Sequence, residues 1–237
     1  MAAAESGETL AIDELHFSVT RSARRKTLEI GVDRHGELTL SAPASCSLKR
    51  IEKFARERKF WVYTKLAEKG RLFKPRPPKE FVEGEGFLYL GRSYRLKFVP
   101  NQTEAFKLLN GRLQMLQGLG DDSRHALVDW YAIRLKRLLA ERMPAIAVSV
   151  GNSAKSFRVQ DLGFRWGSCG KGGVVYFHWK VALLPLQIID YVIAHELVHL
   201  KIVHHTPIFW KKLERAMPDY EQRKEWLARY GSETDGY

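Results

Sequence analysis

Cysteine is nearly missing from this chain: Cys46 and Cys169 are the two thiols in 237 residues. Two cysteines cannot build a disulfide scaffold, nor a metal site of paired Cys motifs, so stability has to come from an apolar core. Long apolar runs are missing too. No stretch reaches the roughly 20 apolar residues that span a bilayer, and Met1 to Gly7 is small and acidic where a secretory leader is basic and then apolar. The expectation is a globular, cytoplasmic protein with no membrane partner. Acidic residues are scarce relative to basic ones, 27 against 39, which leaves a net charge of +12. Internal repeats and low-complexity tracts are lacking. What is present, 45% apolar residues, suffices for one large core or two small ones.

The positive charge is unevenly spread. Residues 45–79 hold twelve Lys or Arg against three Glu, a local excess of +9. Much of it falls on a predicted helix from Leu48 to Lys69, with Ile51, Phe54, Ala55, Trp61, Val62 and Leu66 on the core side. Lys49, Arg50, Lys53, Arg56, Arg58 and Lys59 would face outward. Together with Lys74-Pro75-Arg76-Pro77-Pro78-Lys79, this helix could meet the phosphates of a nucleic acid. A solvated helix face explains it equally well, because the aromatic interleaving of a single-strand binder is lacking. Phe60 and Trp61 read as core residues.

Hydrophobic periodicity divides the rest. Leu15 to Thr20, Lys26 to Val32 and Glu37 to Ser41 alternate apolar and polar and read as a small antiparallel meander, with Asp33-Arg34-His35-Gly36 as a turn. Pro75 to Glu80 is a connector. Phe87 to Leu90 with Tyr94 to Val99, and then Phe106 to Met115 turning at Gly111, read as hairpins. Gly118 to Asp122 is the best linker, which suggests an N-terminal portion 1–120 and a C-terminal portion 121–237, or one continuous domain. From Ser123 to Met143 the spacing is helical, and Pro144 is expected to end that helix. Ala147 to Val150, Ser156 to Val159 and Val174 to Phe177 are strand-like.

One stretch has a spacing that dictates a chemistry: His195-Glu196-Leu197-Val198-His199. On a helix of 3.6 residues per turn, positions 195 and 199 share a face, so two imidazoles can converge on one cation while Glu196 reaches a water bound to it. Imidazole nitrogens for zinc and a carboxylate for the proton of water form the core of a zinc hydrolase. The surroundings favour this over a surface helix with two histidines and a solvated glutamate, or a core helix whose histidines are satisfied by carbonyls. Pro185 suits a first helical turn, and Ile188, Ile189, Val192, Ile193, Leu197, Val198, Leu200 and Ile202 predict a buried helix, where polar groups without a partner are costly. Catalytic zinc usually takes three protein ligands. His204 and His205 are the candidates for the third, since Thr206 (N-cap) and Pro207 (N1) restart a helix and force a turn at 203–205. Spacing alone does not choose between them.

The runs Arg165-Trp166-Gly167-Ser168-Cys169, Val174 to Val181, His195 to His199, His205, Phe209-Trp210 and Met217-Pro218-Asp219-Tyr220 closely resemble the YgjP-like family of small zinc metallopeptidases. Arg21 to Ile30, Leu40-Ser41-Ala42-Pro43 and Leu90-Gly91-Arg92-Ser93-Tyr94 resemble its N-terminal portion. SprT-like proteases are similar at a greater distance. The resemblance implies an α+β fold with a zincin-like core, a small sheet packed on the helix of His195 to His199, beside an N-terminal β-rich portion and a basic helix. It implies Zn2+ on His195, His199 and His205, Glu196 as general base, and a peptide or protein substrate paired along an edge strand, Val174 to Trp179. His204 then becomes a neighbour of the site. Two rivals stay in view, a nucleic-acid-associated adaptor with a structural zinc and a DNA-associated protease. Of the remaining residues, Arg165 could stabilise an oxyanion but reads more simply as part of a turn, with Trp166 packed under the helix. Tyr220 is a weaker oxyanion candidate. Cys169 reads as a packed thiol, His178 as an exposed strand residue, and Phe209, Trp210, Leu213 and Trp226 as packing for the C-terminal helices.

Overall fold

The structure, a computed structural model, describes residues 8–33, 36–59, 61–63, 65–66, 77–163, 165–234 and 236–237. Arg34, His35, Phe60, the predicted helix end at 67–69 and the stretch Lys74-Pro75-Arg76 lie outside the described residues. The fold is mixed α+β, and the chain parts into two compact units, Met1–Lys74 and Pro75–Tyr237. The sequence boundary at 120/121 thus falls inside the second unit, where Leu113, Met115 and Leu127 share one core.

The first unit has four strands, β1 (Glu8–Ile12), β2 (Leu15–Ser22), β3 (Glu29–Val32) and β4 (Leu38–Pro43), and a helix, α1 (Leu48–Glu57). The order is β1-β2-β4-β3, with β2 and β4 parallel. This corrects the antiparallel meander. An additional N-terminal strand makes two hairpins, and their inner strands both place alternate residues, Phe17 and Val19 against Leu38 and Leu40, into one core with Ile51, Ala55 and Val62. Trp61 is not a core residue. It is 39% exposed while its neighbour Val62 is fully buried, as one helical step requires.

The second unit begins with a sheet of the same topology, β5 (Gly86–Tyr89), β6 (Arg92–Val99), β7 (Phe106–Leu109) and β8 (Arg112–Leu116), ordered β5-β6-β8-β7 with β6 and β8 parallel. Then comes a long helix, α2 (Ser123–Val150), which carries Pro144 in its interior. The predicted stop at Pro144 and the strand at 147–150 are therefore both wrong. Leu135, Leu139, Met143 and Val150 are buried along one side, and Arg142 makes a two-pronged ion pair with Asp190 at 2.5 and 2.6 Å. Proline removes a single backbone bond, and continued burial outweighs that loss.

Three short strands follow, β9 (Ser156–Gln160), β10 (Gly167–Cys169) and β11 (Val174–His178). Their order is β10-β11-β9, with β9 parallel and β10 antiparallel to β11. Val174 to His178 is thus the central strand, and the edge beside the histidine helix is β10. The predicted edge strand is corrected accordingly. Its burial shows the reason: Val175 and Phe177 are fully buried, because a central strand is covered on its inner face. A 3-10 turn leads into α3 (Leu186–His199), followed by α4 (Pro207–Ala216) and α5 (Tyr220–Tyr230). No helix among the described residues is long and apolar enough to cross a membrane.

Candidate metal centre

α3 is apolar nearly all round, with Ile188, Ile189, Val192, Ile193, Leu197 and Val198 buried, so it lies in the core and not on the surface. It starts after Pro185, as the sequence leads one to expect, and ends at His199, short of the Leu200 and Ile202 that the apolar pattern included. Asn152, buried just past α2, donates from Nδ2 to the carbonyl of Leu197 at 3.0 Å and so occupies a carbonyl in the last turn of α3. Arg142 and Asp190 fix the other end. Neither anchor was read from the sequence. Asp190, the lone acid besides Glu196 in that apolar helix, was the available signal, whereas nothing local marks Asn152.

The chain then turns. Ile202 N–H donates to Val198 O, and Thr206 N–H to His204 O at 2.7 Å, which brings His205 back over α3. Thr206 is the N-cap of α4 and Pro207 its first residue, as expected. The outcome is a triangle of ring nitrogens: Nε2 atoms of His195 and His199 are 3.1 Å apart, those of His199 and His205 3.1 Å, and those of His205 and His195 3.0 Å. Among the described residues these three form the cluster able to hold a metal ion, and His204 and His178 are not in it.

Several features fit a cation above that triangle. A point about 2 Å from all three nitrogens exists there, the usual imidazole–zinc length. His199 Nδ1–H donates to Ile202 O at 3.0 Å, which leaves its Nε2 lone pair pointing inward. Burial lowers the pKa of all three, His195 to about 3 with its two neighbours contributing, so the rings are neutral donors at pH 7. Converging lone pairs at such spacing repel unless something positive shares them. His195 Nδ1 is buried without a hydrogen-bond partner among the described residues, while its Nε2 faces the triangle. Phe209 lies under all three rings, with centroids 4.5 to 4.9 Å away, and Trp210 stacks on His205 at 5.4 Å.

Glu196 is buried and its carboxyl is pushed up to about 8, by desolvation first and against the pull of Arg165. Its space is made by β10: a Cβ on Gly167 would stand 2.6 Å from Glu196 Cγ, so only glycine fits. Arg165, Gly167, Cys169, Glu196 and the three histidines line one hollow of about 680 Å3. Arg165 therefore belongs to the site's wall. Trp166 is half-buried and packs against Gly231, where a Cβ would lie 3.0 Å from its ring. Cys169 is half-buried, and burial followed by the charge of Glu196 raises its thiol, the opposite of a reactive thiolate.

His178 differs from expectation. It is 2% exposed, its Nδ1 accepts from Lys180 N–H, and its Nε2 faces Asp161 Oδ1 at 3.4 Å, because it ends the central strand. Tyr220 stacks on Trp210 and donates to the Glu221 carboxylate at 3.2 Å. In the first unit, Arg56 pairs with Glu52, Lys53 with Glu57 and Lys59 with Asp13, so part of the basic face is compensated by its own neighbours.

The sequence profile of the family described as YgjP-like, metallopeptidase domain, matches residues 26–230. Comparison with curated proteins yields no match. Among solved structures, the metallopeptidase zymogen abylysin of Pyrococcus abyssi is similar at 24% identity and a TM-score of 0.34, over 37% of this chain and 86% of that one.

Proposed function

Since the chain belongs to the YgjP-like metallopeptidase family, we propose that it is a zinc-dependent peptidase in which His195, His199 and His205 hold the metal and Glu196 moves the proton. The observation that carries this reading is the convergence of three neutral Nε2 atoms beside a buried carboxylate. Zinc supplies the usual Lewis-acid chemistry when bound, a more acidic water and a polarised scissile carbonyl. Glu196 takes the proton of the attacking water and returns it to the leaving amine, as base and then as acid. Phe209 and the Ile202 carbonyl keep the histidine rings oriented. We read β9–β11 with α3 and α4 as a zincin-like core, and the free edge of β10 as the strand that pairs with an extended peptide.

Glu196→Gln is the test. It should retain about one zinc per chain by metal analysis while casein or peptide cleavage falls at least 10²-fold, the range general-base loss gives. His195→Ala and His199→Ala should each lose the metal. Zinc content unchanged in both histidine variants would remove the ligand assignment.

A further inference from the structure

His195, His205 and Glu196 stand between two hollows of unlike lining. The first, of about 680 Å3, is floored by the glycine-rich run Gly167–Gly173. The second, of about 500 Å3, is walled by Trp166, Tyr191, Val192, Trp210 and Leu227, with the exposed Lys224 at its rim. Gly167, His195, Glu196 and His205 border both. We propose that the aromatic hollow is the specificity pocket for the residue on the C-terminal side of the cleaved bond, that it takes a large apolar side chain, and that it excludes Lys and Arg. This inference rests on the peptidase reading above.

The direction follows from the sheet. β10 is the edge strand beside Glu196, β9 forming the opposite edge, and the other side of β10 is paired antiparallel with β11. A peptide added to that edge pairs best antiparallel, the more stable ladder. It then runs from the Cys169 end of β10 towards the Gly167 end. Its N-terminal part lies over Gly170 to Gly173, where side-chain walls are sparse and main-chain bonding dominates. Its C-terminal part passes Gly167 and Glu196 and enters the aromatic hollow.

The walls of that hollow are already in place. Trp210 is stacked between His205, 5.4 Å away, and Tyr220, 5.6 Å away. Trp166 is backed by Gly231, and Tyr191 and Val192 are buried on α3. A preformed apolar wall favours a Leu or Phe side chain without reorganisation. Lys224 sets a cation 4.7 Å from the Trp210 ring. A substrate lysine or arginine entering there would meet a like charge and displace it from its ring contact.

The experiment uses full-length Glu196→Gln, zinc-loaded, titrated with nonapeptides that differ only at the central residue: Leu, Phe, Gly or Lys. Binding is read by calorimetry, and the wild-type cleavage position by mass spectrometry. Leu and Phe peptides should bind at least tenfold tighter than Gly, with Lys weakest, and the wild type should cut on the N-terminal side of Leu or Phe. Adding Leu227→Trp should bring the Leu-to-Gly ratio within twofold. Lys224→Glu, at an exposed site, should raise Lys-peptide binding relative to Leu at least fivefold. Equal binding of all four peptides, no binding at all, or cleavage on the C-terminal side of Leu or Phe overturns the pocket. Cleavage without preference overturns the pocket and leaves the peptidase reading standing. Leu-selective binding with no wild-type cleavage removes the peptidase reading and, with it, the assignment of the pocket to one side of a cleaved bond.

Discussion

Gly167 and Glu196 meet at the candidate centre, where the glycine leaves the space that the buried carboxyl fills. A methyl group on Gly167 cannot be accommodated beside Glu196 Cγ, so Gly167→Ala is expected to push the carboxylate off its position. A displacement of about 1 Å costs on the order of 10²-fold in rate. The variant should keep its zinc and its fold by circular dichroism but lose kcat, and a rate within twofold of the wild type would count against the contact. Charge makes a second prediction, for the metal-free protein. Glu196 titrates near 8 when folded against an ordinary 4.5, so the folded state keeps a proton that the unfolded chain has released. Its contribution is full below pH 4.5 and is lost as pH rises through 8, with a slope approaching about 1.4 kcal/mol per pH unit. His195, near 3 when folded against 6.5, acts in another window: its contribution is full above 6.5 and is lost as pH falls towards 3. Chelator-treated protein should therefore be most stable between 4.5 and 6.5 in urea titrations. Glu196→Gln should abolish the alkaline fall and leave the acid one; an alkaline fall of equal slope in the variant would assign it to another group.

At the scale of elements, what could be read from the sequence was whatever is local. The HExxH helix, its start after Pro185, the restart at Thr206-Pro207 and the hairpins at 86–99 and 106–116 each depend on spacing within a few residues, and each was legible. The pocket walls come from a strand approach, two helical faces and α5, and no local pattern unites Trp166, Tyr191, Trp210 and Leu227. The same limit explains β11, whose alternation is that of a half-covered strand until β9 and β10 flank it. Pro144 shows a local rule defeated by packing. Leu139 and Met143 before it and Val150 after it are buried against the core, so α2 continues through a residue that costs about 3 kcal/mol in a helix interior. Replacing it recovers most of that cost and loses roughly 0.4–1 kcal/mol from a freer unfolded chain. Pro144→Ala is thus expected to stabilise the protein by about 1–2 kcal/mol in chemical denaturation, with peptidase activity retained. Destabilisation would mean that the helix needs the proline's geometry, for instance to aim Arg142 at Asp190.

At the scale of the molecule, the apolar residues form two clusters, one within each compact unit. The centre, its two hollows and both anchors of α3 all belong to the second unit, Pro75–Tyr237. A ligand that binds only the folded state stabilises by RT ln(1 + [L]/Kd), about 4 kcal/mol at a thousandfold excess over Kd. Metal should act on the unit that holds the histidines, because only that unit's folding assembles the triangle of Nε2 atoms. Removing the metal from the full chain is accordingly expected to lower the melting temperature of the transition that reports Trp130, Trp179 and Trp210, all in the second unit, by several degrees. A fragment of residues 75–237 should fold, bind one zinc and show the same chelator shift, since its core is complete without residues 1–74. Calorimetry of the two species with and without chelator checks this. If the fragment fails to fold or binds no metal, the first unit contributes to the centre through something other than its apolar core.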